Sequence, residues 1–436
     1  MNNQSSFAGA ERDLDSAEPE HAEAFRYWRL RILIAATIGY VLYYFVRKNL
    51  SVAMPAMNET LHIGEGQLGG FLTAHGIAYG VSKFCHGIIG DRVNARWLMP
   101  TGLIICGVIN LAFGFSSTVM AFGILWLLNG WFQGIGFPPC ARLMTHWFPP
   151  SRLASNMAVW NISHSLGACL VLILCGQLIK YGWRLCFIVP AVIVLVGSVW
   201  LIFALRDTPE SLGLPPVEET PRSSTESEPL FATLVKYVFS NPYIWVISFA
   251  NFFVYAVRYG IVDWGPTFMK QARGFDVKSG TLMIAAFEVA GIFGMLFGGW
   301  LTDRLFGGRA TRACVFYMAL CTVTLMLFWK VPNQSWVTST ALLFALGFFI
   351  YGPQSLVGTA AANMATKRAA AASVGLTGLF GYLSTTLSGW GVGTLVERYG
   401  WDAGFRVFAL SGLAGTIVFA CCWMARPHGY QIDSGQ

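Results

Sequence analysis

The stretch GYVLYYFVRKN at 39–49 sets Arg47 and Lys48 inside an apolar run that starts near Ile32 and continues to about Met57. A run of that length crosses a bilayer as a helix, at about 20 residues per crossing. Holding an arginine at the centre of such a helix costs ~2.5–3.5 kcal/mol on insertion scales. Arginines near helix ends avoid this by snorkelling to the interface. Apolar residues on both sides of Arg47 leave it too deep for that, so the charge implies a partner.

Composition extends the same reading to the whole chain. Its 436 residues are 55% hydrophobic and 12% charged, with a mean hydropathy of +0.54; soluble domains carry about 25% charged residues. Lipid admits helices or a closed barrel, and the ten-residue alternation of a barrel is absent here. The net charge of +7 is spread through short loops and forms no basic face, so nucleic acid is not an expected partner. The ten cysteines show no C-x-x-C spacing. Cys85, Cys106, Cys175 and Cys314 lie in or beside apolar spans and read as small core residues, with no disulfide framework, metal site or cofactor expected.

Residues 1–24 are polar and acidic, the wrong charge for a signal peptide, and read as a cytoplasmic tail. Six spans follow near 30–57, 67–89, 97–116, 120–143, 154–178 and 185–205, making an N-terminal half over 25–205. The stretch DTPESLGLPPVEETPRSSTESEPL at 207–230 is too polar to span and marks a linker, taken as 206–240. Six more spans, near 242–266, 280–302, 312–331, 336–362, 370–395 and 403–425, make a C-terminal half over 241–425, before a tail at 426–436. Arginines and lysines crowd the loops on one side, among them Arg29, Arg31, Arg96, Arg152, Arg309, Arg312, Lys367 and Arg368. By the positive-inside rule that side, with both termini, is cytoplasmic.

The two halves repeat. Tyr44-x-x-Arg47 returns 211 residues on (47 to 258) as Tyr255-x-x-Arg258, and Gly87-x-x-x-Asp91-Arg92 returns 212 on (91 to 303) as Gly299-x-x-x-Asp303-Arg304. KYGWRLCF at 180–187 returns as RYGWDAGF at 398–405. Three correspondences in one order imply an all-α membrane protein of 12 transmembrane helices in two pseudo-symmetric six-helix halves. This is the parallel-repeat plan of the major facilitator fold, with its binding site at the midplane between the halves.

That repeat supplies the partner for Arg47. Arg258 sits at the equivalent place on the seventh span, and two guanidinium groups facing one cavity repel unless an anion lies between them. The planar fork of arginine matches phosphate oxygens in pairs, so the cavity is expected to bind phosphate or a phosphate monoester. Tyr40 and Tyr44 precede Arg47 at helical spacing, Tyr255 precedes Arg258 by three, and Lys83 follows Tyr79 by four. His164, in WNISH, reads equally as a ligand or a packing residue. Lys48, Asp263 and Glu288 lie at membrane depth and are expected to pair across spans 1, 7 and 8 as an outer gate. The two G-x-x-x-D-R loops, carrying Gly87, Asp91, Arg92, Gly299, Asp303 and Arg304, read as an inner latch. GIGFPP at 134–139 and YGP at 351–353 put prolines in the fourth and tenth spans, where kinks would allow rocking.

Several stretches carry a resemblance through most of the chain: GYVLYYFVRKNLSVAMP, AYGVSKF, NGWFQGIGFPPCARLMTHWF, VWNISHSLG, NPYIWVISFANFFVYAVRYGIVDWGPTFM and YGPQSLVGTAA. Together they resemble the organophosphate:phosphate antiporters of the major facilitator superfamily. LRDTPESLGLP and FEVAGIFGMLFGGWLTDRLF resemble the hexose-phosphate branch, which includes a sensor-like member. The resemblance implies that Arg47 and Arg258 bind phosphate and that His164, Lys83, Tyr40, Tyr44, Tyr79, Tyr255, Tyr351 and Tyr382 line the substrate cavity. LFGYLSTTLSGWGVG in the eleventh span carries no charge, which departs from the hexose-phosphate uptake pattern and leaves the sugar ester open.

The expected function is exchange of a sugar phosphate, glucose 6-phosphate in the first instance, for inorganic phosphate by alternating access in the cell inner membrane, by a monomer. Two alternatives stand beside it. One is a receptor for external hexose phosphate that signals to a membrane kinase. The other is a glycerol-3-phosphate:phosphate antiporter. No G-x-x-x-x-G-K-[ST] loop and no catalytic carboxylate pair supports an enzyme.

Overall fold

In a computed structural model, residues 19–90, 93–217, 235–331, 335–365 and 370–425 are described. They are helical, with no strand among them. Among the described residues, ten helical segments are long and apolar enough to cross a membrane. The chain runs α1 (Pro19–Phe45), α2 (Asn49–Leu61), α3 (Glu65–Gly90), α4 (Ala95–Phe115), α5 (Val119–Gln133), α6 (Phe137–Trp147), α7 (Pro150–Leu178) and α8 (Leu185–Ala204). After the linker come α9 (Pro242–Gln271), α10 (Val277–Leu305), α11 (Ala310–Lys330), α12 (Trp336–Met364), α13 (Ala370–Leu383), α14 (Val392–Tyr399) and α15 (Trp401–Cys421). Pairing α1 with α2, α5 with α6, and α13 with α14 accounts for the twelve expected passes.

Three of those passes are interrupted, each differently. The first breaks at 46–48, between α1 and α2, so Arg47 and Lys48 lie in a turn and not within one continuous helix as the sequence suggested. The fourth breaks at the glycines of GIGFPP, and α6 restarts with prolines in its first turn, where a missing N–H costs nothing. The eleventh passes through a π-helical turn, Thr386–Gly391. Pro353, by contrast, lies inside an unbroken α12. Elsewhere polar side chains start the helices in the ordinary way, as Asn94 does by accepting from Arg96 N–H and Asp276 by accepting from Ser279 N–H.

The halves meet at the end of the bundle remote from the chain termini. One apolar core fills the C-terminal half and continues into the N-terminal half through Leu50, Met54, Leu68 and Phe71. A separate core, with Phe25, Ile32, Trp147 and Leu205, holds the terminal end of the N-terminal half. Gly69 of α3 packs directly on the backbone of Gly389 in the π-turn, an approach that a side chain on either would prevent. Glu59 pairs with Lys270 at 2.5 Å, Glu65 accepts from Gln271, and Glu397 accepts from Gly66 N–H at 2.7 Å. These contacts close the remote end. Asp207, inside the expected linker, is tied to the N-terminal half: its carboxylate accepts from Arg142 Nε and Nη2 at 3.0 Å and from the Ala95 N–H at 2.8 Å.

Candidate functional site

Arg47 leaves the break in the first span and reaches over the pseudo-axis. Its Nη2 donates to Tyr259 Oη at 3.3 Å, and its guanidinium lies 4.1 Å from the ring centre of Tyr79 and 5.5 Å from that of Tyr44. Its neighbours are ring faces and one hydroxyl. Aromatic faces offset the cost of a buried cation by about 0.5–2 kcal/mol each, less than a carboxylate would.

Arg258 is treated differently. It is 2% exposed and donates from Nη2 to Tyr351 Oη at 2.7 Å. Tyr351 in turn donates to the Glu288 carboxylate. The relay Arg258–Tyr351–Glu288 therefore gives this arginine a counter-charge one hydroxyl away. Arg258 Nε and Glu288 Oε1 remain without partners inside the protein, so the relay leaves a donor for a ligand. Tyr259 touches both arginines, since the Arg258 guanidinium lies 5.5 Å from its ring centre. The sequence repeat thus brings two arginines to one tyrosine, with only one of them compensated.

The other expected cavity residues gather around this pair. Tyr40 and Tyr79 share a hydroxyl contact at 3.4 Å, and Tyr79 meets Tyr382 edge to face at 4.7 Å. Tyr255 lies against both Tyr259 and Tyr382. His164 packs on Tyr40 at 4.6 Å and Tyr44 at 5.7 Å, with Nδ1 2.9 Å from the Asn161 carbonyl. That carbonyl fixes Nδ1 as the protonated nitrogen of the neutral ring and leaves Nε2 as an acceptor. Lys83 Nζ lies over Phe137 and 5.7 Å from the Tyr382 ring.

Lys48 Nζ forms an ion pair with Asp263 at 2.5 Å. Glu288 differs from its expected place: it sits in the Arg258 relay and takes no hydrogen bond from Lys48. The register of α10 against α12 brings it to Tyr351, which no reading of one span at a time could supply. Of the latch residues, Gly87 lies in the last turns of α3, while Asp91 and Arg92 fall outside the described residues. Asp303 and Arg304 are exposed, and Arg304 lies 6.0 Å from the Trp300 ring.

Sequence reasoning missed Tyr259 and His75. Both line one cavity with Arg47, Lys48, Asp263 and Tyr382. Tyr259 could have been found, since it follows Arg258 as Lys48 follows Arg47 in the repeat. Among the described residues no group of three or more His, Cys, Asp or Glu could hold a metal.

Residues 36–389 match the Major Facilitator Superfamily. The chain belongs to that family. Membership places it among membrane transporters and not among enzymes. It is 38% identical to the probable hexose phosphate transport protein of Chlamydia pneumoniae, over 92% of each chain. It is 37% identical to the membrane sensor protein UhpC of Escherichia coli, over 93% of this chain and 94% of that one. A bacterial homologue of the human lysosomal transporter Spinster, solved inward-facing and unoccupied, shares the fold with a TM-score of 0.72 at 15% identity. That likeness covers 91% of this chain and 96% of the other.

Proposed function

We propose that this protein exchanges a sugar phosphate for inorganic phosphate by alternating access, with glucose 6-phosphate as the reference substrate. The observation that carries the reading is Arg47: a deep guanidinium supplied only with aromatic faces and one tyrosine hydroxyl, sharing Tyr259 with Arg258. A phosphate dianion between the two arginines supplies the charge that Arg47 lacks and gives paired acceptors to both forks. Lys83, His164, Tyr40, Tyr44, Tyr79, Tyr255, Tyr351 and Tyr382 then form the wall for the organic group. Lys48 and Asp263 hold the gate at the remote end, and Asp91, Arg92, Asp303 and Arg304 the latch at the other.

By the distribution of basic residues, the remote end is extracytoplasmic and both termini are cytoplasmic. A closed remote end is then a state shut to the outside, in a monomer in the cell inner membrane. Phosphate bridging the arginines draws the halves together and lowers the barrier to rocking, which makes exchange faster than net flux. The test is proteoliposomes loaded with inorganic phosphate: labelled glucose 6-phosphate should enter them and not phosphate-free vesicles. Equal entry into both rules out antiport.

A second reading is a receptor that binds external hexose phosphate in the same cavity and signals to a membrane kinase. The likeness to UhpC over nearly the full chain favours it. Ligand binding by the purified protein without exchange in proteoliposomes decides for the receptor.

A further inference from the structure

The break that presents Arg47 is not made by glycine or proline, and the local side-chain bond there is from Ser51 Oγ to the Lys48 carbonyl at 2.7 Å. Residues 41–54 contain neither glycine nor proline. Sharp breaks otherwise arise where a side chain enters the helical ladder, and here three do so. Lys48 N–H keeps the ordinary bond to the Tyr44 carbonyl four residues back, at 3.0 Å, while Arg47 N–H turns from the Tyr43 carbonyl to that of Tyr44, at 3.2 Å. The Tyr43 and Val46 carbonyls turn outward to side-chain amides instead. Asn129 Nδ2 donates to Val46 O at 2.8 Å and Asn110 Nδ2 at 3.2 Å. Gln133 Nε2 donates to Tyr43 O at 3.0 Å and to Val46 O at 3.3 Å.

The donors come from other spans, Asn110 from α4 and Asn129 and Gln133 from successive turns of α5. The far side of the break is tied to the same group, because Asn49, the first residue of α2, donates to Asn110 Oδ1 at 2.9 Å and to the Cys186 carbonyl at 3.0 Å. All four amides are buried, none more than 3% exposed. Unpaired carbonyls at membrane depth are tolerated only where protein satisfies them, so this cluster permits the break. A continuous first span would turn Arg47 with the helix and direct both carbonyls to its own N–H groups.

We propose that Asn110, Asn129 and Gln133 are positioning residues for the anion site: by holding the Tyr43 and Val46 carbonyls they set the break in the first span and so aim Arg47 at Tyr259 and Arg258. The proposal rests on the two-arginine reading of the site. It makes Arg47 a side chain whose direction is governed by the third and fourth spans.

The test uses the full-length protein in nanodiscs with Asn129→Leu, and with Gln133→Met as the milder variant that leaves Asn129 on Val46. Two readouts are taken on folded, monodisperse protein. The first is affinity for inorganic phosphate and glucose 6-phosphate by calorimetry, together with the KM and kcat of exchange. The second is the distance between spin labels at Ile38→Cys and Thr60→Cys, with Cys85, Cys169 and Cys421, the cysteines that are not buried, replaced by serine. A straight helix from 38 to 60 would measure ~33 Å at 1.5 Å per residue, and the broken span less.

Asn129→Leu should lengthen the distance toward the straight value, weaken phosphate at least tenfold and raise KM more than it lowers kcat, with Gln133→Met intermediate. A lengthened span with unchanged phosphate affinity would overturn the link from break to Arg47. An unchanged distance in both variants would overturn the role of the amides in the break. If the unsubstituted protein binds neither ligand, the proposed function fails, while the distance still decides whether the amides set the break. A variant that does not fold leaves the decision to the other.

Discussion

Lys48 Nζ meets the Asp263 carboxylate at 2.5 Å, from one half of the molecule to the other, with both residues buried. Removing one partner of a buried pair leaves the other charge uncompensated, at a cost of about 3–5 kcal/mol. Opening the remote end to water relieves that cost. Asp263→Asn is therefore expected to shift the protein toward the state open at the remote end. Spin labels at Thr60 and Arg398, both exposed there, should report a longer distance in Asp263→Asn than in the parent. A distribution unchanged from the parent would show that the pair does not hold the gate.

The two arginines should respond in opposite ways to truncation. Arg258→Ala strands Glu288 and Tyr351 in the core and should cost about 3–5 kcal/mol of stability. Arg47→Ala removes a cation that the protein supplies with no carboxylate among its hydrogen-bond partners, so the ligand-free melting temperature should hold or rise. Both variants should lose phosphate binding. Melting in detergent with and without phosphate checks this: the parent and neither variant should be stabilised by the anion. A fall in the ligand-free melting temperature of Arg47→Ala equal to that of Arg258→Ala would contradict the asymmetry.

How much of this was legible in the sequence follows from where each interaction resides. The apolar runs and the Tyr-x-x-Arg repeat are properties of single spans, so the fold and the pairing of Arg47 with Arg258 could be read directly. The break at 46–48 could not, because its cause lies in Asn110, Asn129 and Gln133 on other spans, and a lone amide in an apolar helix carries no address. Glu288 was read as a gate residue for the same reason: its partner depends on the register of α10 against α12. Pro353 shows the converse. Proline marked a site for a kink, and α12 remains helical through it, since neighbouring helices can stabilise such a site.

Thr73 couples the gate to the shape of the eleventh span. Its hydroxyl donates to the Thr385 carbonyl at 2.7 Å and accepts from the Trp390 N–H at 2.9 Å, joining the two ends of the π-turn from the opposite half. Thr73→Val keeps the volume and removes both bonds, the one to Thr385 part-buried and the one from Trp390 exposed, for a loss of about 0.5–1.5 kcal/mol per bond. Hydrogen exchange at the Trp390 amide should accelerate in Thr73→Val, with exchange in α12 unaffected. Equal protection in parent and variant would detach the π-turn from the gate.

Gly69 and Gly70 give the sharpest comparison, because they are adjacent on α3 and differ only in what faces them. A methyl group on Gly69 would stand inside contact distance of the Gly389 carbonyl oxygen, which is backbone and cannot rotate away, whereas nothing lies within 4 Å of one on Gly70. Both substitutions favour helix formation by about 1 kcal/mol, so local propensity cannot separate them. Gly69→Ala should prevent the remote end from closing and reduce exchange at least tenfold, with the Thr60 to Arg398 label distance lengthened. Gly70→Ala should exchange at the parental rate with the parental distance. Equal rates and distances in the two variants would mean that contact between the second and eleventh spans, α3 and the π-turn, does not limit closure.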